Sequence, residues 1–345
     1  MRVLAAMSGG VDSSVAVARL LEAGHDVVGV TMKLWGGESD TGCCSVSDVD
    51  DARRVAQQLD VDHHVFNFGD EFEEHVVGPY VSAHAAGRTP NPCVECNRRL
   101  KFDKLLRRAD ALGFDAVATG HHARKVLDEA GNWRVARGAD PAKDQSYVLY
   151  PLTRDGLART LFPVGDLTKD QVRSEAARLG LRTATKPDSQ DVCFITRSEG
   201  RASFLARRIP LRPAEVVDTA GDHVGHTDAV ELVTIGQRKG LELAGGSGRR
   251  YVVDVDVDAA VVTVGEAEDL LVGSLALEEM VWSADPVSGA VEVQCSAHGT
   301  PRSATFDGGV VTWSTPERRI AAGQSVVLYH GDLVMGGGFA SASRS

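Results

Sequence analysis

The chain has 345 residues, 43% of them hydrophobic and 25% charged, with 37 basic against 48 acidic side chains and a formal net charge of −11. This exceeds the roughly 100 to 200 residues of a common single domain, so two or three domains are expected, and the balance excludes general disorder, collagen-like and coiled-coil architectures. The acidic excess argues against a nonspecific nucleic-acid coat while leaving room for a local basic patch, and no apolar run approaches the roughly 20 residues of a membrane span.

Taken in chain order, the first half alternates short β-branched runs with amphipathic segments. Residues 3–7 predict a strand, 13–23 a helix ended by Gly24, 27–31 a strand, 47–59 a helix and 64–68 a strand. A helix from about Asp70, another over 96–112 ended by Gly113, and a strand over 116–119 follow. This rhythm predicts an α/β fold with a doubly wound, mostly parallel sheet, whose ligands gather at the carboxyl ends of the strands. LTKDQVRSEAARLGL carries Thr168 with Gln171 three residues on, a capping box, and Gly180 as its stop. Beyond residue 200 the runs VELVTI, RRYVVDVDV, AVVTVG, AVEVQC and QSVVLY are separated by Gly, Asp and Pro turns, as in small all-β modules. Breaks near 200 and 268 give an α/β unit over 1–200, a central β unit over 201–267 and a C-terminal, barrel-like β unit over 268–345. The tail GGGFASASRS is expected to fray. The N-terminal MRVLAAMSGG is too short an apolar stretch for a signal peptide. A cytoplasmic protein without a membrane partner is expected.

Charge and thiols are unevenly placed. From Asp254 onward 13 acidic residues stand against 4 basic ones, so −9 of the −11 lies there. In the nearly neutral remainder, Arg98, Arg99, Lys101, Lys104, Arg107 and Arg108 crowd one stretch. In a reducing compartment Cys43, Cys44, Cys93, Cys96, Cys193 and Cys295 read as thiols, metal ligands or redox catalysts rather than as a disulfide framework.

Three motifs carry chemistry. SGGVDSS, residues 8–14, lies between the first strand and the first helix. Gly9 and Gly10 let the backbone approach a ligand, the hydroxyls of Ser8, Ser13 and Ser14 donate, and a helix N-terminus favours an anion, so this is a phosphate cradle. It lacks the lysine of a Walker A loop, and Asp12 among phosphate ligands calls for a cation such as Mg²⁺ to offset repulsion. In TPNPCVECNRRLKF, Cys96 is expected near the start of the basic helix, where helix terminus and cations stabilise a thiolate. Its C-x-x-C also admits a zinc half-site, but no second pair completes four ligands. In KPDSQDVCFI, Cys193 between Val192 and Phe194 reads alone as a buried strand cysteine, yet with Cys96 it makes a pair able to exchange sulfur.

SGGVDSS resembles the pyrophosphatase motif of the PP-loop ATP-binding family, which implies adenylation: a substrate oxygen attacks the α-phosphate and the adenylated carbon becomes an electrophile. Met32 and Gly120 then wall the nucleotide site, although Met32 reads equally well as core. Together SGGVDSS, GCCS, TPNPCVECNRRLKF, TGHHAR, KDQSYVLY, KPDSQDVCFI, TIGQRKGL and AAGQSVVLYHGD run in one order from about residue 3 to 338. That set closely resembles the bacterial tRNA-specific 2-thiouridylases, PP-loop enzymes that replace the C2 oxygen of the wobble uridine by sulfur. The resemblance implies ATP and Mg²⁺ as cofactors and tRNA of the Lys, Glu and Gln type as substrate. It also implies a persulfide donor, such as a cysteine desulfurase or a sulfur carrier, as partner. Residue by residue it implies Cys96 as nucleophile and Cys193 as the cysteine that receives the persulfide. It implies an ATP site of Ala6, Met7, Ser8, Gly9, Gly10, Val11, Asp12, Ser13, Met32 and Gly120. Asn91, Pro92 and Cys93 match a target-base contact, and His121, Lys143, Asp144, Gln145 and Gln324 match tRNA contacts.

The residue chemistry is compatible with those roles. Lys143 can meet a phosphate, Asp144 and Gln145 offer hydrogen-bonding groups, and the basic helix can attract a backbone. Extruding a base from a single-stranded anticodon loop is inexpensive. His121 and His122 also read as plain loop histidines, and the basic helix as a solvated face. Two positions depart from the family pattern. Cys93 stands where many relatives carry Asp, and a thiol with a reference pKa of about 8.5 does not inherit acid or base work, so the general acid is unassigned. Near the C-terminus EVQCSAHG replaces a basic and aromatic contact, so Cys295 and Ser296 take no role, nor do Cys43 and Cys44. Cys93, Cys96 and Cys193 also admit a [4Fe–4S] cluster held by three thiolates. The rivals are a ligase or amidotransferase acting on a small molecule, which needs no cysteine pair, and a nucleotide-binding regulatory module without turnover.

Overall fold

The computed structural model describes residues 1–34, 45–188, 192–195, 199–243 and 249–342. Cys43 and Cys44, residues 189–191 of KPDSQDVCFI and the end of the small-residue tail lie outside the described residues. Strands β1 (Arg2–Ala6), β2 (Asp26–Lys33), β3 (His63–Asn67) and β4 (Ala116–Ala118) form a parallel sheet in the order β3-β2-β1-β4, with Thr160–Leu161 beyond β4. Central β1 is apolar on both faces because each face meets helices. Leu4 shares a core with Phe72 and Val76 and with Leu100 and Leu105, from two helices on one side. Val3 and Ala5 share another with Val15 of helix α1 (Val11–Glu22), Val55 of the helix Val46–Gln58 and Val172 of the helix Lys169–Arg178.

Helix boundaries follow local chemistry. Helix α1 begins two residues before its predicted start because extended Gly10 is the N-cap, and the Ser13 and Ser14 hydroxyls donate back to the Gly10 carbonyl at 3.1 and 2.8 Å. Residues 92–111 form one helix, Pro92–Glu95, wider turns over Cys96–Lys104, then Leu105–Ala111. It starts at Pro92 rather than at Cys96, because Asn91 caps it by accepting from Cys93 N at 3.1 Å and proline suits the first helical position. Cys93 therefore takes the first-turn place expected for Cys96, and Cys96 is buried one turn further on. The capping box of Thr168 and Gln171 is formed as predicted.

After the helix Gly200–Ala206 the chain is built of β modules. A five-stranded sheet runs Glu242–Leu243, His223–Thr227, Ala214–Asp218, Val261–Gly265, Tyr251–Asp256. VELVTI is not a strand: Val230–Leu232 is a 3-10 turn, in which Glu231 accepts from Arg212 N and Nε while Val230 and Val233 enter the core. Six further strands close into a barrel, since Leu271–Trp282 pairs with both Val310–Arg318 and Leu333–Ala340. A hairpin that the pattern did not reveal, Ala123–Leu127 with Trp133–Arg137, leaves the α/β unit and bridges to the barrel at Leu333 and Ala136. Val327, Tyr329 and Val334 of the barrel lie in the core that Leu4 occupies, so these two units share one apolar interior. Among the described residues no helix is long and apolar enough to cross a membrane.

Candidate active site

The chain leaves β1 toward β2 on one side while β4 flanks β1 on the other, so the crevice beyond the carboxyl ends of β1 and β4 is the topological switch point, where ligands bind in open α/β sheets. The loops after both strands meet there. Gly9, at φ +72°, has no room for a side chain, because a Cβ would run into the Asp48 carbonyl. A Cβ on Gly120 would lie 2.6 Å from Ser13 N. Ser8 and Ser13 hydroxyls lie 3.3 Å apart, and Ser13 Oγ also accepts from Ser8 N at 3.2 Å. Ala6 ends β1, Met7 and Val11 are core, and Met32 is buried in the Leu4 cluster, the packing role its residue type allowed. The glycine backbone, the Ser8 and Ser13 hydroxyls and the α1 N-terminus thus lie together beyond β1, with the Ser13 and Ser14 hydroxyls turned back onto the Gly10 carbonyl rather than outward.

The charge balance of this cradle comes from distant residues. Lys169 Nζ donates to both Asp12 oxygens at 2.8 and 2.7 Å and lies 2.9 Å from Asp188 Oδ1. His122 Nε2 lies 2.9 Å from Asp12 Oδ1. Burial alone raises the Asp12 pKa, but the bonds from His122 and Lys169 outweigh it and hold the carboxyl below its ordinary range. Lys169 thus lies beside the carboxylate for which the sequence calls for a cation such as Mg²⁺. Asp188, opposed by burial but bonded to Lys143 and Lys169, is held at about 2. Arg173 joins at 2.9 Å, and Lys186 bridges Asp48 and Asp51 at 2.7 Å each. Lys169 and Arg173 carry no signal of their own in the sequence beyond the anionic Asp12, which hints that a cation is near, and Lys186 and Asp188 enter only as part of KPDSQDVCFI.

The cysteine side is apolar and held from outside the sheet. Cys96 belongs to the Leu4 cluster, and Cys193, in a turn rather than a strand, packs against the same cluster. Its neighbour Phe194 stacks edge-on with Phe72 and Tyr80 at 5.7 and 5.4 Å. The turn before Pro92 is gripped by the barrel: Ala322 O accepts from Thr89 N at 2.8 Å, Gln324 Nε2 donates to Thr89 O at 3.2 Å, and Arg88 pairs with Glu278 at 2.7 Å. The basic helix is partly neutralised, with Arg98 and Arg99 near Glu95, Arg107 on Asp103 and Lys104 near Glu71. Among the described residues no three His, Cys, Asp or Glu side chains gather into a metal-holding group.

The other predicted contact residues separate by environment. His121 is buried between Phe102 and Phe162 with Nδ1 2.7 Å from Thr119 Oγ1, and burial, then Lys101 and His122, hold its pKa well below the ordinary value. Asp144 accepts from Gly138 N, Ser146 N, Ser146 Oγ and Arg137 Nη1, so its oxygens are committed within the chain. Gln145 Oε1 accepts from His122 N at 2.9 Å, tying it to the His122 and Asp12 pair. Lys143 is half-exposed beside Asp188, at the edge of the charge cluster around Asp12.

Three family models match successive stretches of the chain. The family model described as tRNA methyl transferase HUP domain matches residues 1–197, the one described as tRNA methyl transferase PRC-barrel domain matches 202–266, and the aminomethyltransferase beta-barrel domain matches 272–340. The tRNA-specific 2-thiouridylase of Frankia casuarinae is 50% identical over 98% of this chain and 98% of its own. That of Mycolicibacterium smegmatis is 48% identical over 96% of each. Among solved structures, a 4-thiouridine synthetase–RNA complex with bound ATP aligns at 20% identity and TM-score 0.38, over 56% of this chain and 44% of that one. With half its residues shared along nearly the full length of such relatives, the chain belongs to the tRNA-specific 2-thiouridylase family.

Proposed function

We propose that this protein is an ATP-dependent sulfurtransferase that replaces the C2 oxygen of a wobble uridine in tRNA by sulfur. The observation that carries the reading is the pairing, in one chain, of a glycine and serine cradle at the switch point with Cys96 and Cys193 on one apolar cluster beside the same sheet. The ATP site is assigned to Ala6 through Ser13 with Gly120, and with Met32 as packing behind it. Asp12, with the nucleotide's phosphates, would hold Mg²⁺, which needs one or two carboxylates beside substrate phosphates and supplies charge neutralisation when bound.

The uridine C2 oxygen attacks the α-phosphorus, the bond to the bridging oxygen breaks, and pyrophosphate leaves with that electron pair. Cys193 carries a persulfide whose terminal sulfur attacks the activated C2, and AMP departs. Cys96 thiolate then attacks Cys193 Sγ, so that the S–S electron pair leaves on the tRNA sulfur and a Cys96–Cys193 disulfide remains for an external thiol to reduce. Asn91, Pro92 and Cys93 form the turn against which the flipped base rests. His121, Lys143, Asp144, Gln145 and Gln324 belong to the tRNA side: Lys143 by contact, and Asp144, Gln145 and Gln324 by holding the surfaces it meets. Residues 1–200 form the catalytic unit, 201–267 and 268–345 the β units that orient tRNA through shape and a few polar groups.

The test supplies ATP, Mg²⁺, a persulfide-charged donor protein and a tRNA transcript of the Lys, Glu or Gln type. Pyrophosphate and AMP released only with tRNA, together with a thiolated product retarded in a mercury gel, are expected. Release without tRNA, or an unmodified product, contradicts the reading.

A further inference from the structure

The first peptide of the glycine loop, between Met7 and Ser8, is held at both of its polar groups. Ser8 N donates to Ser13 Oγ at 3.2 Å, on the first turn of α1, and the Met7 carbonyl accepts from Thr31 Oγ1 at 2.8 Å. Thr31 lies on β2 and is 1% exposed, so its hydroxyl has no solvent to turn to. A second partner reaches it from the neighbouring strand β3: His63 Nε2 stands 2.8 Å from the same oxygen. The ring can lie across β2 because His63 is in register with Gly29, where a Cβ would come 3.3 Å from His63 Cδ2 and 2.6 Å from Met7 Sδ.

The protons set the direction of these bonds. A hydroxyl has one proton and the Met7 carbonyl can only accept, so Thr31 donates to Met7 and accepts from His63. Nε2 therefore carries the ring hydrogen. Nδ1, buried and without a hydrogen-bond partner among the described residues, is then the bare nitrogen. Burial first, then Arg53 and His64, lower the His63 pKa, which favours this neutral form.

We propose that His63 and Thr31 are positioning residues for the nucleotide loop: His63 donates to Thr31, whose proton is thereby committed to the Met7 carbonyl, and this relay fixes the peptide from which the loop starts. The assignment rests on the nucleotide site proposed above. Neither side chain touches the reactants. With the Met7 carbonyl tied back to β2, the Ser8 N–H stays on Ser13, and the loop meets phosphate in a geometry set before ATP arrives. Without the His63 donor, the Thr31 hydroxyl loses the group that orients it.

Two measurements test the relay. Nitrogen NMR of protein carrying isotope-labelled histidine reads the tautomer directly, with the His63 signals identified by their loss in His63→Phe. A protonated Nε2 and a bare Nδ1 at neutral pH are expected, and the opposite tautomer would overturn the relay whatever the loop binds. Titration with ATP and Mg²⁺ reads the loop. Wild-type protein that binds no ATP would overturn the nucleotide site itself, and the assignment with it. Given binding, Thr31→Val, which keeps the shape and removes the hydroxyl, is expected to weaken ATP about five- to tenfold, while Thr31→Ser stays within about twofold of wild type. A packing role gives the reverse order and contradicts the proposal. His63→Phe is expected to cost about threefold alone and nothing further on top of Thr31→Val, because it acts through that hydroxyl. Losses that simply multiply in the double variant overturn the relay. If the buried Thr31→Val does not fold, the half-buried His63→Phe decides, and ATP affinity unchanged in it contradicts the proposal.

Discussion

Around the glycine loop every restraint comes from the α/β unit: Asp48 behind Gly9, Gly120 against Ser13, His122 and Lys169 on Asp12. Around the cysteine turn the restraints come from the barrel, through Ala322, Gln324 and Glu278, and from an apolar cluster that the barrel helps to build. Among the described residues the glycine-loop side is thus a polar arrangement held within one unit, whereas the cysteine side is completed by a second unit far along the chain. That division suits two-stage chemistry. Activation needs fixed charges aimed at phosphate, and sulfur transfer needs a drier place where thiolates are not quenched by solvent.

The separation can be broken at either side. The largest effect is expected from Cys96→Ser or Cys193→Ser, which should lower formation of thiolated tRNA at least about a thousandfold while ATP affinity stays within twofold. Mercury-gel assays and nucleotide titration read the two quantities, and a parallel fall in both would show one undivided site. Gly120→Ala should act on the other side, since a methyl 2.6 Å from Ser13 N forces the two loops apart. Overpacking of this kind costs about 1 to 3 kcal/mol, so a ten- to hundredfold loss of ATP affinity is expected with thiol labelling unchanged.

Acid should loosen the two sides at different pH. His84 stacks on Tyr80 beside Phe194, and burial, with Arg201 nearby, lowers its pKa from 6.5 to about 4. Because the folded value is the lower one, its contribution is complete above pH 6.5 and is lost as pH falls toward 4, by at most about 3 kcal/mol. On the nucleotide side Asp188 is also lowered, to about 2, so its contribution is complete above 3.8 and is lost only as pH falls toward 2. Hydrogen exchange near Tyr80 should therefore rise between pH 6.5 and 4 before exchange near Lys169 does, and His84→Phe should flatten the first transition. Smallest is Gln324→Ala, which removes one hydrogen bond to Thr89, worth about 1 kcal/mol. A severalfold faster alkylation of Cys93 with unaltered ATP binding is expected, and unchanged labelling would show that the barrel does not steady that turn.

The glycine-loop side is largely legible because its motif is local. SGGVDSS follows a strand and opens a helix, and the α/β rhythm places that junction at the carboxyl ends of the strands, where ligands collect. What stayed hidden was Lys169, since a lysine after a capping threonine looks like any solvated first-turn residue until the fold sets it against Asp12. The weight of basic residues after Cys96 places the expected start of the cysteine helix there and masks Asn91 and Pro92 as cap and first position. The hairpin 123–137 escapes because charges interrupt its alternation, in ARKVL and WRVAR, and Arg134 is buried on Asp128 and Ser283. VELVTI has the composition of a strand, but a carboxylate with a local partner in Arg212 turned it into a 3-10 turn. Pairings such as Gln324 with Thr89 span more than two hundred residues and leave no local trace.

The most direct test of the divided site is a single-turnover assay on Cys96→Ser/Cys193→Ser with ATP, Mg²⁺ and wobble-uridine tRNA. Pyrophosphate released at close to the wild-type rate, with no thiolated tRNA formed, is expected. Loss of tRNA-dependent pyrophosphate release would contradict it, because activation would then need the thiols.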